Sequence, residues 1–284
     1  MRVIVAIFIA ASIVACASTQ EEFSDVVKMK TAVAEKTLVA SKALTALVPY
    51  EFGGITYQAE YTACALPAAK ASWVLMNRDQ AGFNHENFCQ GWIAQAFLLE
   101  GYSVIGINRP SFGQSTGAGD FAGARSQKAI ETVMATIGSK DETFKAIDGC
   151  WGYSSGAIAA LFYAKKHPDI RRLALGGGIY DLEVVHKNTT DAFLKREIDS
   201  AVALQPDKAY EERSIAWDFQ GLPKKLALYH GANDTVVPAS QATSFRNSLA
   251  AQEFAVTFKL VSEASHELPW QQHQALIGEL LKAP

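Results

Sequence analysis

From residue 72 to residue 281 the chain alternates short apolar runs with stretches of helical periodicity, and few architectures satisfy that alternation. Residues 72–76, 103–108, 146–151, 173–176, 226–229 and 256–260 are apolar runs too short for stable helices and are read as buried strands. Between them, residues 85–100 bring Phe88, Trp92, Ile93, Ala96, Phe97 and Leu98 into an amphipathic helix that Gly101 ends. Residues 122–137 put Ile130, Val133, Met134 and Ile137 on one helical face. Residues 155–167 and 270–281 read as two further helices, the first stopped by Pro168. Apolar strands joined by helices predict a mostly parallel sheet with helices on both faces, an α/β fold. Apolar residues make up 49% of the 284 and charged residues 19%, enough for one large core.

Three stretches stand outside the rhythm. Residues 181–218 are charged and too long for a simple connection, and they read as a small helical cap inserted over the carboxyl ends of the strands. Residues 55–66, rich in Thr, Tyr and Ala, read as an early strand in a hairpin with its neighbour. Residues 17–50 contain no glycine and one proline, Pro49, and residues 21–47 favour helix by their Ala, Lys, Val and Leu content. The expected division is therefore a leader at 1–15, a tether and N-terminal helix at 16–50, and the main domain at 51–284.

The leader has its own chemistry. Arg2 precedes an uncharged apolar run over 3–15, too short to span a bilayer and suited to the middle of a signal peptide. It ends at Ile13-Val14-Ala15-Cys16, which resembles a bacterial lipoprotein signal with Cys16 as the lipidated residue. The competing reading is a secretory signal cut near Ala17 or Ser18. Either implies export, to the periplasm or outer membrane for a lipoprotein, with membrane contact only through the anchor. With Cys16 lipidated, Cys64, Cys89 and Cys150 remain. Cys150 falls in a predicted buried strand, so Cys64 and Cys89 are the candidate pair; three free thiols are the alternative. No Cys/His spacing suggests zinc. The formal charge of −3, without a basic cluster, leaves nucleic acid no surface to bind.

The chemistry concentrates where the strand at 146–151 runs into Gly152-Tyr153-Ser154-Ser155-Gly156 and a helix follows at once. This G-x-S-x-G arrangement makes a sharp strand-to-helix turn that exposes the Ser154 hydroxyl and aims the Ser155 N–H at a developing oxyanion. The bland reading is a Ser-rich turn capping a helix; Ser155, whose flanking glycines have the wrong spacing, is the rival nucleophile. A serine needs a base and an orienting acid. Asp234, in the loop after the strand at 226–229, and His266, after the last strand, follow in the order Ser, Asp, His. Asp181 is the second candidate acid and His273 the second candidate base. His230, at a strand end beneath the Asp234 loop, reads as structural.

Together these residues resemble the α/β-hydrolase superfamily over roughly residues 50–282. Arg109-Pro110-Ser111-Phe112-Gly113-Gln114-Ser115 resembles the superfamily's loop before the nucleophile strand. His230-Gly231-x-x-Asp234-x-x-Val237-Pro238 resembles the acid loop of the prolyl-oligopeptidase and dienelactone-hydrolase branches, and Glu212-Arg213-Ser214 has a similar flavour. The resemblance implies a Ser154, Asp234, His266 triad and no cofactor. The sequence departs from the pattern after the third strand, where Asn77-Arg78-Asp79-Gln80 replaces the usual His-Gly. The second oxyanion donor is then expected from the backbone around Arg78 and Asp79; Arg78 gripping a substrate carboxylate, or pairing within its loop, are the other uses of that segment. The expected activity is hydrolysis of a small carboxylic ester through an acyl-enzyme. Hydrolysis of short peptides is second, an inactive binding lipoprotein is the non-enzymatic alternative, and transfer of the acyl group to an alcohol or amine is a further possibility.

Overall fold

The computed structural model describes residues 41–76, 88–215 and 218–282. Among these residues eight strands form one sheet in the order β1-β2-β4-β3-β5-β6-β7-β8. They are β1 (Lys42–Phe52), β2 (Ile55–Ala65), β3 (Ser72–Met76), β4 (Ser103–Asn108), β5 (Ile147–Tyr153), β6 (Arg172–Gly176), β7 (Lys225–Gly231) and β8 (Ala255–Val261). β1 pairs with β2, and β2 with β4, antiparallel; every later pair is parallel. Among the described residues seven α-helices accompany them: α1 (Trp92–Leu98), α2 (Ala124–Lys140), α3 (Ser155–Lys166), α4 (Leu182–Asn188), α5 (Ala192–Leu204), α6 (Ser240–Ala250) and α7 (Trp270–Lys282). The expected fold class is the observed one.

Two apolar cores sandwich the sheet. On one face α2, α3 and α6 bury Ile130, Val133, Ile158, Leu161, Phe245 and Leu249. On the other, α1 and α7 bury Phe97, Leu98, Leu276 and Ile277 over Trp73, Trp151 and Tyr229. β3, β4 and β5 lie between the two and are buried along almost their whole length, which is why they read as unbroken apolar runs.

The N-terminal helix expected over 21–47 gives way, from Lys42, to strand β1; its earlier part lies outside the described residues. Helix propensity loses there to eleven paired residues running from Lys42↔Ala65 to Phe52↔Ile55. The strand buries only Val48 and Tyr50, while Leu44 and Leu47 stay exposed, so its alternation is faint in the sequence. The hairpin closes on Gly53-Gly54, both at positive φ (+59° and +76°), as a two-residue turn with matching twist requires. The boundary expected at residue 51 thus falls inside β1, and the sheet already begins at Lys42.

Residues 181–218 hold α4, α5 and a 3-10 turn at Glu211–Arg213. The stretch touches the loops that follow β4 and β7. Arg213, fully buried, donates from Nε to Asp120 O at 2.7 Å, and Thr190 Oγ1 lies 3.5 Å from Thr235 O.

Cys64 and Cys89 form a disulfide, tying β2 to the 3-10 turn before α1. Cys150 is a buried free cysteine whose thiol burial pushes far above its ordinary pKa. A bridge spanning 25 residues restricts the unfolded chain by about 3 kcal/mol on loop-closure grounds. The Cys64→Ser/Cys89→Ser variant should lose about that much in urea-monitored unfolding. Reductant should lower the wild type alone.

Candidate active site

The last residue of β5 and the first of α3 leave a single residue, Ser154, to make the reversal. Its backbone sits at φ +53°, ψ −124°, a region that costs a non-glycine residue about 1–3 kcal/mol. Neighbouring bonds hold it there: Ser154 N–H donates to Gly176 O at 2.9 Å, and Ser154 O accepts from Ala157 N–H at 3.0 Å. A Cβ on Gly152 would lie 2.4 Å from Gly156 O and 2.7 Å from Ala157 Cα, so only glycine lets the helix start fold back on the strand.

His266 lies in the loop between β8 and α7, and Asp234 in the loop after β7. Ser154 Oγ is 3.0 Å from His266 Nε2, and His266 Nδ1 is 2.7 Å from Asp234 Oδ2. Asp234 Oδ1 accepts the N–H groups of Val236 (2.9 Å) and Val237 (2.8 Å). A carboxylate that only accepts fixes the tautomer: His266 carries its proton on Nδ1 and leaves Nε2 to accept from the serine. Behind the row, Tyr153 OH donates to His266 O at 2.5 Å and so fastens the histidine loop to the end of β5. All three side chains are buried. Burial works to raise the Asp234 pKa, but hydrogen bonds from His230 and His266, the charge of His266 and the Val237 N–H outweigh it, and the carboxyl ends well below the usual range.

Ser155 opens α3, and its backbone N–H is one of the first-turn donors a helix leaves without an internal acceptor. Its side chain is taken by Arg109, which donates from Nη2 to Ser155 Oγ (2.9 Å) and from Nη1 to Ser155 O (3.4 Å). Arg109 is itself buried, with its guanidinium 4.5 Å from the Phe112 ring centre. Burial pushes its pKa down to about 10, opposed by Asp120 and Glu197. The sequence shows Arg109 only as part of a loop pattern; its hold on the residue after the nucleophile is a tertiary contact that no spacing announces.

The other candidates are placed elsewhere. Asp181 caps α4, with Oδ1 accepting from Val184 N–H at 3.0 Å. His273 packs behind the row, its Nδ1 3.2 Å from Tyr229 OH and its ring against Trp92 and Tyr153. His230 is fully enclosed, and its Nε2 lies 3.0 Å from Asp234 Oδ2. Arg78, Asp79 and Cys16 lie outside the described residues. Among the described residues no group of three His, Cys, Asp or Glu side chains is placed to hold a metal ion.

A search of curated proteins finds no match. Solved structures match widely at low identity. A puromycin-hydrolyzing peptidase of Mycobacterium tuberculosis matches with a TM-score of 0.63 at 19% identity, over 86% of this chain and 38% of that one. The acylaminoacyl peptidase of Pyrococcus horikoshii matches at 0.63 and 13%, over 86% and 41%. An esterase of Pyrococcus furiosus matches at 0.60 and 18%, over 84% and 91%. The chain thus spans about two fifths of each peptidase and nine tenths of the esterase. These likenesses establish the α/β-hydrolase fold. The model of the prolyl oligopeptidase family matches residues 132–280, a stretch that holds Ser154, Asp234 and His266. With more than half of its 284 residues matched in this way, the chain belongs to the prolyl oligopeptidase family.

Proposed function

We propose that the protein hydrolyses small carboxylic esters, with Ser154 as nucleophile, His266 as general base and Asp234 as the acid that orients the base. The reading rests on one observation, the unbroken row Ser154 Oγ–His266 Nε2 (3.0 Å) and His266 Nδ1–Asp234 Oδ2 (2.7 Å). As Ser154 Oγ bonds to the carbonyl carbon, its proton passes to His266 Nε2, and Asp234 stabilises the imidazolium. The carbonyl oxygen takes the negative charge, facing the Ser155 N–H and a second donor that we assign to the backbone around Arg78 and Asp79. Collapse expels the alkoxide, which receives the proton from His266. Water, deprotonated by the same nitrogen, then releases the acid and restores Ser154.

The likeness to the Pyrococcus furiosus esterase supports the ester reading. Family membership favours the second reading, a short peptide. A fluorophosphonate should label the folded wild type, with the adduct mapped to Ser154; an unlabelled folded enzyme would sink the mechanism. Turnover of p-nitrophenyl esters of increasing acyl length should exceed that of aminoacyl p-nitroanilides by at least about tenfold in kcat/KM; the reverse order would assign the enzyme to peptides.

The apolar leader and Cys16 support export as a lipoprotein, with which the Cys64–Cys89 bridge is compatible. Mass spectrometry of the mature N-terminus should find a diacylglyceryl group on Cys16, and a plain cut near Ala17 or Ser18 would exclude the anchor.

A further inference from the structure

Asp234 is held by two imidazoles, and only one of them belongs to the proton-transfer row. His230, near the end of β7, is completely buried. Its Nε2 lies 2.8 Å from Val237 O and 3.0 Å from Asp234 Oδ2. A backbone carbonyl can only accept, and so can an ionised carboxylate, so the Nε2 proton sits between the two as a shared donor. Its Nδ1 is enclosed without a hydrogen-bond partner among the described residues. A position that served packing alone would be better filled by an apolar side chain, which leaves no polar atom stranded.

We propose that His230 is a positioning residue for the acid: its Nε2–H fixes Asp234 Oδ2 so that this oxygen meets His266 Nδ1 in line. The inference rests on the catalytic reading of Ser154, His266 and Asp234 given above. The two backbone amides of Val236 and Val237 pin Oδ1 and close the turn, but both act on that one oxygen. Oδ2 is left to the base that it must itself orient, unless a third group holds it. His230 is that group, and it approaches from strand β7 rather than from the loop that carries His266. It also ties Val237 O to the same proton, so the far end of the acid loop and its carboxylate share one anchor. Strand β7 thereby transmits its rigidity to the row through a side chain as well as through the loop backbone.

The decisive experiment compares His230→Leu, His230→Asn and His230→Gln with the wild type. Leu keeps apolar volume without a donor. Asn places its amide near the Nδ1 position, short of Oδ2, whereas Gln can place an amide N–H near Nε2. The measured quantity is the second-order rate of fluorophosphonate labelling at Ser154, per mole of folded protein, which needs no knowledge of the substrate. Leu and Asn should label about tenfold more slowly than the wild type, and Gln should recover most of the rate. Equal rates in all four proteins, or a loss in Gln as large as in Asn, overturn the inference while leaving the mechanism intact. An unlabelled wild type overturns both. Should the Leu and Asn variants fail to fold, the wild type still decides: two-bond 15N–1H couplings must show His230 as the Nε2–H tautomer, and an Nδ1–H tautomer refutes the proposal.

Discussion

Ser154→Ala should lower turnover by about 10⁶-fold while leaving the fold intact, and adding a second lesion in the row should cost almost nothing more. Alanine keeps the Cβ that the turn already accommodates at φ +53°, and the backbone bonds to Gly176 and Ala157 that hold the turn involve no side-chain atom. What goes, on the proposed mechanism, is the oxygen that forms the acyl-enzyme. In the proposed mechanism every proton that His266 and Asp234 help to move belongs to a step through the Ser154 acyl-enzyme, so the three side chains act as one unit and their losses do not add. The residual rate reports binding and the oxyanion donors, Ser155 N–H among them. Ester hydrolysis, fluorophosphonate labelling and circular dichroism on Ser154→Ala, and on the same variant carrying His266→Ala, check both parts. Labelling that persists in the folded alanine variant would move the nucleophile elsewhere, Ser155 being the first place to look.

The parts of this molecule that are legible in the sequence are those fixed by local pattern. β3 and β4 coincide with the apolar runs at 72–76 and 103–108, because strands buried on both faces have no polar side to disguise them. The turn at Ser154 is legible because Gly152, two residues before it, answers a steric demand: a Cβ there would meet the backbone of Gly156 and Ala157. β1 is hidden because its Lys, Ala and Leu suit a helix in isolation, and only pairing with β2 decides otherwise. α6 is hidden for a different reason: Ser, Thr, Gln and Asn dominate it, and its buried stripe is Gln241, Ala242, Phe245 and Leu249, of which Gln241 serves by accepting the N–H groups of Tyr180 and Asp181. The order Ser154, Asp234, His266 places three loops at one sheet edge. The supports of that row, Arg109 under Ser155, Tyr153 behind His266 and His230 against Asp234, are contacts between residues whose separation in the chain carries no period. Even His230, four residues from Asp234, reaches it across a turn that a reading of spacing sees only as a strand end.

Asp234→Asn should reduce turnover by about 10⁴-fold, and the hydrogen bonds around the carboxylate say why so small a change costs so much. Oδ1 accepts two backbone N–H groups, so the amide of an asparagine must put its oxygen there. Its NH2 then occupies the place of Oδ2 and points donors at His266 Nδ1 and His230 Nε2, both of which were donors themselves. His266 can answer only by carrying its proton on Nε2, the nitrogen that has to accept from Ser154, and the base is switched off by its tautomer. The same substitution should change the response to acid. The Asp234 pKa in the folded protein lies well below the value near 3.9 of an unfolded chain, so as pH falls the unfolded state takes up the proton first. The stability contributed by Asp234 is therefore complete above about pH 4 and declines as pH falls below it toward the folded-state value. Asparagine has no such proton, so urea unfolding at pH 6 and pH 3 should show the wild type losing more stability on acidification than the variant. Equal losses would mean that the carboxylate is not held as tightly as its four donors require, and a variant that keeps more than about a tenth of wild-type turnover would mean that His266 takes its orientation from something other than Asp234.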